Sequence, residues 1–209
     1  MAYAQHESPT VWVVDDDQSV RVAVARLLRS AALRVLTLSS PDELLRRLGE
    51  EQPDCLLLDL WLDDVTALEL VPLIHGCAGQ VPLVFMSGSA DVSSCVQAMK
   101  CGAIDFLEKP VDDGALLGAV IRAVARGRSW REARSVTDAA ARQLSSLTPR
   151  EREVFALVAL GNPNKRIAAA LGTTEKTIKV HRGRVMQKLG AGSVVDLVRL
   201  SDRAGYPAR

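Results

Sequence analysis

Over the first 125 of the 209 residues, apolar positions follow two different spacings. Short runs rich in leucine or β-branched residues are typical of strands, and the amphipathic stretches between them are typical of helices. The runs predict five strands, over residues 11–14, 34–38, 55–58, 83–86 and 104–107. The amphipathic stretches predict helices over residues 19–30, 41–48, 66–75, 91–100 and 112–126. Five β–α units in a row predict an α/β doubly wound fold with a five-stranded parallel sheet.

The pattern changes beyond residue 147, where every apolar stripe has helical spacing. Side chains suited to capping, Thr148, Thr174 and Ser193, stand at the start of three predicted helices. Two short helices joined by a turn that contains Gly172 form a helix-turn-helix arrangement. We therefore expect a second, smaller all-α domain with helices over about residues 149–160, 164–171, 174–189 and 193–201.

These patterns divide the chain into four parts: an N-terminal tail (1–9), an α/β domain (10–126), a connector (127–146) and a helical domain (147–209). The connector contains many alanines and no proline, with arginines at 128, 131, 134 and 142. Two interpretations of it stay open. It continues the preceding helix as a semi-rigid spacer, or it is a disordered basic linker.

The formal net charge of +1 conceals an asymmetry between the two halves. Residues 1–125 carry 9 basic against 18 acidic side chains, whereas residues 126–209 carry 17 basic against 7 acidic ones. A basic half beside an acidic one indicates contact with nucleic acid by the basic part. With 48% hydrophobic and 24% charged residues, the composition is that of a globular protein and excludes collagen-like, low-complexity and wholly disordered classes.

The four cysteines do not indicate a metal site, because none forms a CxxC pair and the three histidines do not cluster with them. Cys55 lies in an apolar run, which favours a place in the core. No apolar stretch approaches the roughly 20 residues that a membrane helix needs. The first residues also lack the basic and apolar regions of a signal peptide, so we expect a cytoplasmic protein with no membrane contact.

Acidic side chains follow two of the predicted strands. Asp15 and Asp16 come directly after the first strand, and Asp59 closes the third. Because the carboxyl ends of parallel strands share one edge of a sheet, these carboxylates should converge there, and carboxylates of this kind suit Mg²⁺. Ser87 and Lys109 at the ends of the fourth and fifth strands would add a hydroxyl and a cation. Each residue alone is commonly a solvated loop residue, but together they predict a site for one phosphoryl group with an aspartate nucleophile.

The order of motifs identifies a family resemblance that covers most of the chain. Residues 10 to about 125 resemble the receiver domain of bacterial response regulators. Residues 147 to about 205 resemble the LuxR/NarL-type DNA-binding domain, and the whole is similar to the FixJ subfamily. The motifs are VVDDD (13–17), LLLDL (56–60), MSGSAD (86–91), GAIDFLEKP (102–110), LTPREREV (147–154) and NKRIA…TEKTIKVH (164–181).

The resemblance implies a role for each residue of the predicted pocket. Asp59 would be the phosphoacceptor, and Mg²⁺ would be held by Asp15, Asp16, Asp59 and the backbone carbonyl of Trp61. The phosphoryl group would be bound by Ser87 and Lys109, with Phe106 as an aromatic switch. Phosphorylation adds about −1.5 to −2 charge and three acceptor oxygens. It would thereby bias the surface formed by the fourth helix, fifth strand and fifth helix between two states.

One segment after the acceptor departs from the family pattern. Relatives usually have proline at the fourth position and glycine at the eighth, where this chain has Asp63 and Ala67. Trp61 is also bulky for a residue that borders the pocket mouth. Every residue expected to contact the phosphoryl group is nevertheless present, so the expectation of phosphorylation stands.

A basic helix is the second candidate site. Between Lys165 and Lys188 there are seven Lys/Arg and a single acid. On the third predicted helix of this domain, Lys176, Lys179 and Gly183 share one face, while apolar residues lie on the opposite face. A charged face is commonly just solvated, but the second helix of a helix-turn-helix lies in the major groove, where side chains reach base edges.

The resemblance names the DNA contacts more closely. Lys179 and Val180 would reach base edges, and Gly183 stands where relatives commonly have a longer residue. The phosphate contacts would come from Asn164, Lys165, Thr177, His181, Arg182, Arg184 and Lys188.

The sequence therefore favours a phosphorylation-controlled, sequence-specific transcriptional regulator, and not an enzyme. The resemblance implies double-stranded DNA, a cognate histidine kinase and RNA polymerase as partners, with homodimerisation on phosphorylation. Two alternatives stay open. A Mg²⁺-dependent phosphatase would need an acid two residues beyond its nucleophile, where this chain has Trp61. A constitutive DNA-binding protein with a degenerate receiver would account for the altered segment 63–67.

Overall fold

The computed structural model describes residues 8–88 and 92–206, which form two compact units divided between residues 130 and 131. The first unit is built on a parallel sheet of five strands in the order β2-β1-β3-β6-β7, as the β–α repeats predict. Two short strands, β4 and β5, pair separately as an antiparallel hairpin. The strands are β1 (Thr10–Val14), β2 (Arg34–Leu38), β3 (Cys55–Asp59), β4 (Trp61–Leu62), β5 (Val65–Thr66), β6 (Leu83–Ser87) and β7 (Asp105–Glu108).

Both faces of this sheet are covered, because successive residues of the central strands are apolar and point to opposite sides. In β1, Trp12 belongs to one hydrophobic cluster and Val13 to another. Helices α2 and α3 pack on the first side, and α1 and α5 on the second. The helices of this unit are α1 (Gln18–Ser30), α2 (Pro41–Leu48), α3 (Ala67–Ala78), α4 (Val92–Lys100) and the first part of α5 (Asp113–Ser145).

Helix boundaries follow the local sequence where a cap is present. The Asp17 side chain accepts the backbone N–H of Ser19 at the start of α1, and Ser40 accepts that of Glu43 at the start of α2. The predicted start of the fourth helix at residue 91 lies outside the described residues.

The β4–β5 hairpin was not predicted, and it occupies the segment that departs from the family pattern. Its turn is formed by Asp63 and Asp64, and Asp63 has φ 53°, in the left-handed region that aspartate tolerates. Proline is fixed near φ −65°, so a proline at position 63 would not fit this turn. Helix α3 begins after the hairpin, at Ala67, which is fully buried.

Helix α5 is continuous from Asp113 to Ser145, so the connector expected over residues 127–146 is helical and the division between the units falls inside it. Gly127 lies where α5 passes close to the loops below the sheet. A Cβ at this position would stand 2.7 Å from Pro82 Cγ and 3.0 Å from the carbonyl oxygen of Asp54. A larger residue at position 127 would therefore collide with Pro82, within the first unit.

The second unit contains the end of α5 and four further helices, α6 (Pro149–Ala159), α7 (Asn164–Ala170), α8 (Glu175–Leu189) and α9 (Val194–Arg203). Helix α6 begins with a capping box, in which Thr148 and Glu151 each accept the backbone N–H of the other. Phe155, Ile178 and Val185 are fully buried in one cluster that also contains Leu144 of α5. Among the described residues, no helix is long and apolar enough to cross a membrane.

Candidate functional sites

The carboxyl ends of β1 and β3 bring three acidic side chains together, because the two strands are neighbours in the sheet. Carboxylate oxygens of Asp15, Asp16 and Asp59 lie within 4.8 Å of one another. Asp15 is fully buried and Asp59 is 8% exposed, whereas Asp16 is open to solvent. This is the arrangement that the strand-end rule predicts, and its oxygen donors suit a hard divalent cation such as Mg²⁺.

Lys109 joins the two buried carboxylates. Its Nζ lies 2.7 Å from Asp15 Oδ2 and 2.7 Å from Asp59 Oδ2. The residue follows β7, the strand next to β6, and its own backbone N–H donates to the carbonyl of Ser87 at 2.7 Å. Two buried carboxylates would repel each other and lose hydration, so the ammonium supplies the counter-charge that the arrangement needs.

The pocket shifts the pKa of two of its groups. Burial raises the pKa of Asp59 above its ordinary value, and the hydrogen bond from Lys109 only partly opposes this. Burial alone would lower the pKa of Lys109, but the hydrogen bonds to Asp15 and Asp59 outweigh it and raise the pKa overall. The cation is thereby held in its charged form beside the carboxylate that would react.

Three further predicted site residues lie on β4, β6 and β7. Ser87 is fully buried at the end of β6. Phe106 lies in β7 opposite Phe85 and is partly buried against the first hydrophobic cluster. Trp61 is 52% exposed in β4, two residues after Asp59. The peptide bond between Lys109 and Pro110 is cis.

Sequence reasoning missed the contacts that fix Asp15. Its Oδ1 accepts the backbone N–H of Asp17 at 2.9 Å, and its carbonyl oxygen accepts Arg21 Nη1 at 2.6 Å. Arg21 is a residue of α1, and nothing in the local pattern distinguishes it from the other surface arginines of that helix.

Helix α8 presents the second candidate site. Ile178, Val185 and Leu189 are buried against the core, as the helical spacing predicts. The opposite face is exposed and carries Lys176, Lys179, Val180, Gly183 and Arg184. Val180, an apolar residue, is 50% exposed on this face. Within the part of the chain that the structure describes, the three basic side chains of this face form no ion pair.

Other predicted DNA contacts are partly engaged inside the unit. Arg182 Nη1 donates to Asn164 Oδ1 at 3.1 Å, which ties α8 to the first residue of α7. The Thr177 hydroxyl lies 2.9 Å from that of Thr174, the N-cap of α8. His181 is half-buried, and its Nδ1 is buried with no hydrogen-bond partner among the described residues. Lys165 is exposed.

Lys188 has an internal partner that the sequence did not reveal. Its Nζ lies 2.6 Å from Glu151 Oε2 and 3.4 Å from the carbonyl oxygen of Ser146. The same Glu151 oxygen accepts the backbone N–H of Thr148 at 2.9 Å. Although Glu151 is buried, these hydrogen bonds, Lys188 first, lower its pKa to about 2. Lys188 thus fixes the end of α8 to the start of α6.

Comparison with known proteins finds a family match for each of the two parts of the chain. Residues 11–121 match the family described as the response regulator receiver domain. Residues 145–201 match the family described as bacterial regulatory proteins of the luxR family.

The chain also has curated relatives along nearly its whole length. It is 39% identical to nodulation protein W of Bradyrhizobium diazoefficiens, over 95% of this chain and 87% of that protein. It is 35% identical to the transcriptional regulatory protein FixJ of Azorhizobium caulinodans, over 95% of this chain and 94% of that protein.

Solved structures give the same result. The response regulator StyR has 40% identity and a TM-score of 0.79, over 94% of this chain and 99% of that one. Full-length FixJ from B. japonicum has 34% identity and a TM-score of 0.56, over 95% of this chain and 98% of that one. The alternative of a constitutive regulator with a degenerate receiver is not favoured. The chain belongs to the two-component response regulators related to FixJ, transcriptional regulators that join a receiver domain to a LuxR-type DNA-binding domain.

Proposed function

We propose that this regulator is switched by transfer of a phosphoryl group from a histidine kinase to Asp59. The observation that carries the proposal is the position of Lys109, whose ammonium lies 2.7 Å from the carboxylates of both Asp15 and Asp59. A cation fixed beside a buried carboxylate stabilises negative charge that arrives there during phosphoryl transfer.

The transfer exchanges one bond to phosphorus for another. A carboxylate oxygen of Asp59 attacks the phosphorus of a phosphohistidine, forming the P–O bond of an acyl phosphate as the P–N bond breaks. The kinase imidazole leaves with the electron pair of the broken bond and regains a proton from solvent. Ser87, at the buried end of β6, would donate its hydroxyl to one phosphoryl oxygen, and Lys109 would pair with another.

The oxygen donors at the pocket fit Mg²⁺. The carboxylates of Asp15, Asp16 and Asp59 would hold it together with the backbone carbonyl of Trp61 and water. When bound, Mg²⁺ supplies positive charge that neutralises the phosphoryl oxygens. Lys109 contacts one oxygen each of Asp15 and Asp59, and the other oxygen of Asp15 accepts the backbone N–H of Asp17. The ion would therefore share the Asp15 oxygens with these donors, and the exposed Asp16 would offer it a further carboxylate.

Phosphorylation would reach the DNA-binding domain through the surface of α4, β7 and α5. Ser87 would move toward the phosphoryl group, and Phe106 would turn into the space that it leaves. The altered surface would pair two copies of the chain, and the homodimer would bind two DNA half-sites and recruit RNA polymerase. Because its target is DNA, we place the protein in the cytoplasm.

On the DNA, Lys179 and Val180 are proposed to contact base edges in the major groove, since both are exposed on the outward face of α8. Contacts to phosphates are assigned to Asn164, Lys165, Thr177, His181, Arg182 and Arg184. Lys188 is assigned to positioning α8, because its ammonium is paired with Glu151.

Intact-mass measurement after treatment with acetyl phosphate and Mg²⁺ tests the phosphoacceptor. We expect the full chain to gain one phosphoryl group, and the Asp59→Ala variant to gain none. Asp64→Ala is the matched control, because Asp64 is an exposed carboxylate in the adjacent hairpin and should leave the adduct unchanged. An adduct on Asp59→Ala, or none on the wild type, contradicts the assignment.

A second measurement tests the coupling to DNA. DNA sites are first selected from random duplex by the full chain. The chain should bind these sites more tightly when beryllofluoride, a phosphoryl mimic, is present. Sedimentation under the same conditions should show a dimer. Equal affinity with and without the mimic would favour the constitutive alternative.

A further inference from the structure

Gly183 lies in the interior of α8, where glycine is a poor choice. A glycine in the middle of a helix loses more conformational freedom on folding than alanine does, and it destabilises the helix relative to alanine. The backbone at Gly183 is not among the positions with positive φ, so the helix itself does not require glycine there. We therefore look for a reason for this residue in its surroundings.

Packing within the chain does not supply that reason. A Cβ added at Gly183 meets no described atom within 4 Å, so the space beside it is open. Gly127 in α5 shows the opposite case, because there a Cβ would collide with Pro82. Gly127 is explained by the fold of this chain, and Gly183 is not.

The position of Gly183 on α8 indicates what approaches it. Its neighbours on the helix surface are the residues three and four positions before it, Val180 and Lys179, and Gln187 four positions after it, all of which are exposed. Gly183 therefore lies near the middle of the outward face of α8. The missing side chain leaves a notch whose N-terminal edge is formed by the two residues proposed to contact base edges.

We propose that Gly183 is a specificity-determining residue, and that its notch receives the C5-methyl group of a thymine in the major groove. The methyl group is the apolar substituent that a base pair presents in this groove, and the exposed side chain of Val180 gives the notch an apolar border. A Cβ at residue 183 would hold the helix away from that base pair. The inference rests on the proposed DNA contacts of Lys179 and Val180.

The test compares two glycine-to-alanine variants of the full chain. Gly183→Ala fills the notch. Gly76→Ala is the matched control, because Gly76 is exposed in the last turn of α3 and its Cβ would also meet nothing within 4 Å. Both changes should raise the melting temperature of the domain that carries them, since alanine is the better helix former. A loss of DNA binding by Gly183→Ala then cannot come from unfolding.

Binding is measured on the duplex that the wild type selects from a random pool, and on copies in which each thymine in turn is replaced by uracil, which lacks the methyl group. We expect Gly183→Ala to bind the selected duplex about tenfold more weakly than the wild type. Uracil at one position should weaken the wild type but restore binding by Gly183→Ala, because it removes the methyl group that the new Cβ meets. Affinity for random duplex should stay within about twofold, and Gly76→Ala should behave as the wild type.

The inference is overturned if Gly183→Ala binds the selected duplex as the wild type does, if it loses affinity equally on every duplex, or if no uracil position restores it. Lys179→Ala, measured in parallel, separates this failure from a failure of the proposed function. If Lys179→Ala weakens selective binding while Gly183→Ala does not, only the role of Gly183 is wrong. A wild type that does not distinguish the selected from the random duplex overturns the proposed DNA recognition itself.

Discussion

The two functional regions of this protein hold their charges in opposite ways. In the receiver pocket, Asp15 is fully buried, Asp59 is nearly so, and Lys109 contacts both. On the outward face of α8, Lys179 and Arg184 are exposed and have no ion-pair partner among the described residues. The pocket offsets part of its negative charge with Lys109, whereas α8 leaves its charges for a partner.

The difference follows from what each region does. Buried carboxylates are costly unless a counter-charge and hydrogen bonds compensate them, so a pocket for phosphoryl chemistry is fixed before its substrate arrives. Exposed cations keep their hydration, and they gain affinity for DNA by releasing the counterions that surround the phosphates. Phosphoryl transfer requires charges whose positions are fixed before the substrate binds. DNA recognition requires charges that no group within the chain already pairs with.

The largest effect is expected from removing the cation of the pocket. Lys109→Ala leaves two buried carboxylates without a counter-charge, and should lower the free energy of unfolding of the receiver by about 3 kcal/mol in the absence of Mg²⁺. Urea unfolding at neutral pH measures this. Adding Asp59→Asn to the variant should recover part of the loss, because it removes one of the two charges.

Lys100→Ala is the control, since Lys100 is exposed on α4. Equal stability of the Lys109 and Lys100 variants would show that the pocket is not fixed in this way.

The next largest effect tests whether α8 reads bases. Lys179→Ala should cost about 1–3 kcal/mol of binding free energy at one base pair of the selected site, and the preference at that base pair should disappear. Binding to a panel of duplexes that vary one position at a time measures the preference. An equal loss on all duplexes, including random DNA, would place Lys179 on the phosphate backbone instead.

A smaller effect concerns the ion pair that joins α8 to α6, between Lys188 and Glu151. The pKa of Glu151 is lowered to about 2 from an ordinary value of 4.5. A carboxyl with a lowered pKa in the folded state stabilises the fold above its unfolded pKa, and the contribution is lost as pH falls toward the folded pKa. The melting temperature of wild type should exceed that of Glu151→Gln at pH 7, and the difference should shrink between about pH 4.5 and 2.

Glu153→Gln provides the control for this prediction, because Glu153 is exposed on the same helix. Its melting temperature should follow that of the wild type over the same range of pH. A difference between wild type and Glu151→Gln that stays constant from pH 7 to 3 would mean that the carboxylate charge does not stabilise the domain.

The smallest effect separates a phosphate contact from a positioning residue. Arg184→Ala should reduce the slope of log affinity against log salt concentration by about 0.9, the value for one phosphate neutralised, without lowering the melting temperature. Lys188→Ala should do the reverse, with a lower melting temperature and an unchanged slope, because its ammonium is bound to Glu151. If Arg184→Ala lowers the melting temperature and Lys188→Ala reduces the salt slope, then Lys188 is the phosphate contact, Arg184 is the positioning residue, and both assignments are wrong.

The receiver pocket could be predicted because the topology of a parallel sheet determines which residues, distant in the sequence, lie close together. Once five parallel strands are recognised, the residues that end them must meet at one edge, and Asp15 and Asp59 do so. The hairpin over residues 61–66 could not be predicted in the same way. Its strands have two residues each, and its turn depends on the left-handed backbone of Asp63.

The helical domain shows the same limit. The apolar spacing of α8 predicts correctly which of its residues are buried, because that spacing is a local property. The partner of Lys188 is 37 residues away, and a basic residue at the end of a basic helix carries no sign of it. The pattern Thr148-x-x-Glu151 is typical of a capping box, so the hydrogen bonds between Glu151 and Thr148 can be predicted from the sequence. The ion pair between Glu151 and Lys188 cannot.

Gly127 has a practical consequence for recombining parts of related regulators. A Cβ at this position would collide with Pro82 and the Asp54 carbonyl, so this stretch of α5 packs as part of the receiver, although it lies beyond the residues that match the receiver family. A chimera that exchanges output domains therefore has to inherit Gly127 together with the loops it touches. Fusion points placed after residue 130, where the second unit begins, meet this condition. Points placed at the end of the family match do not.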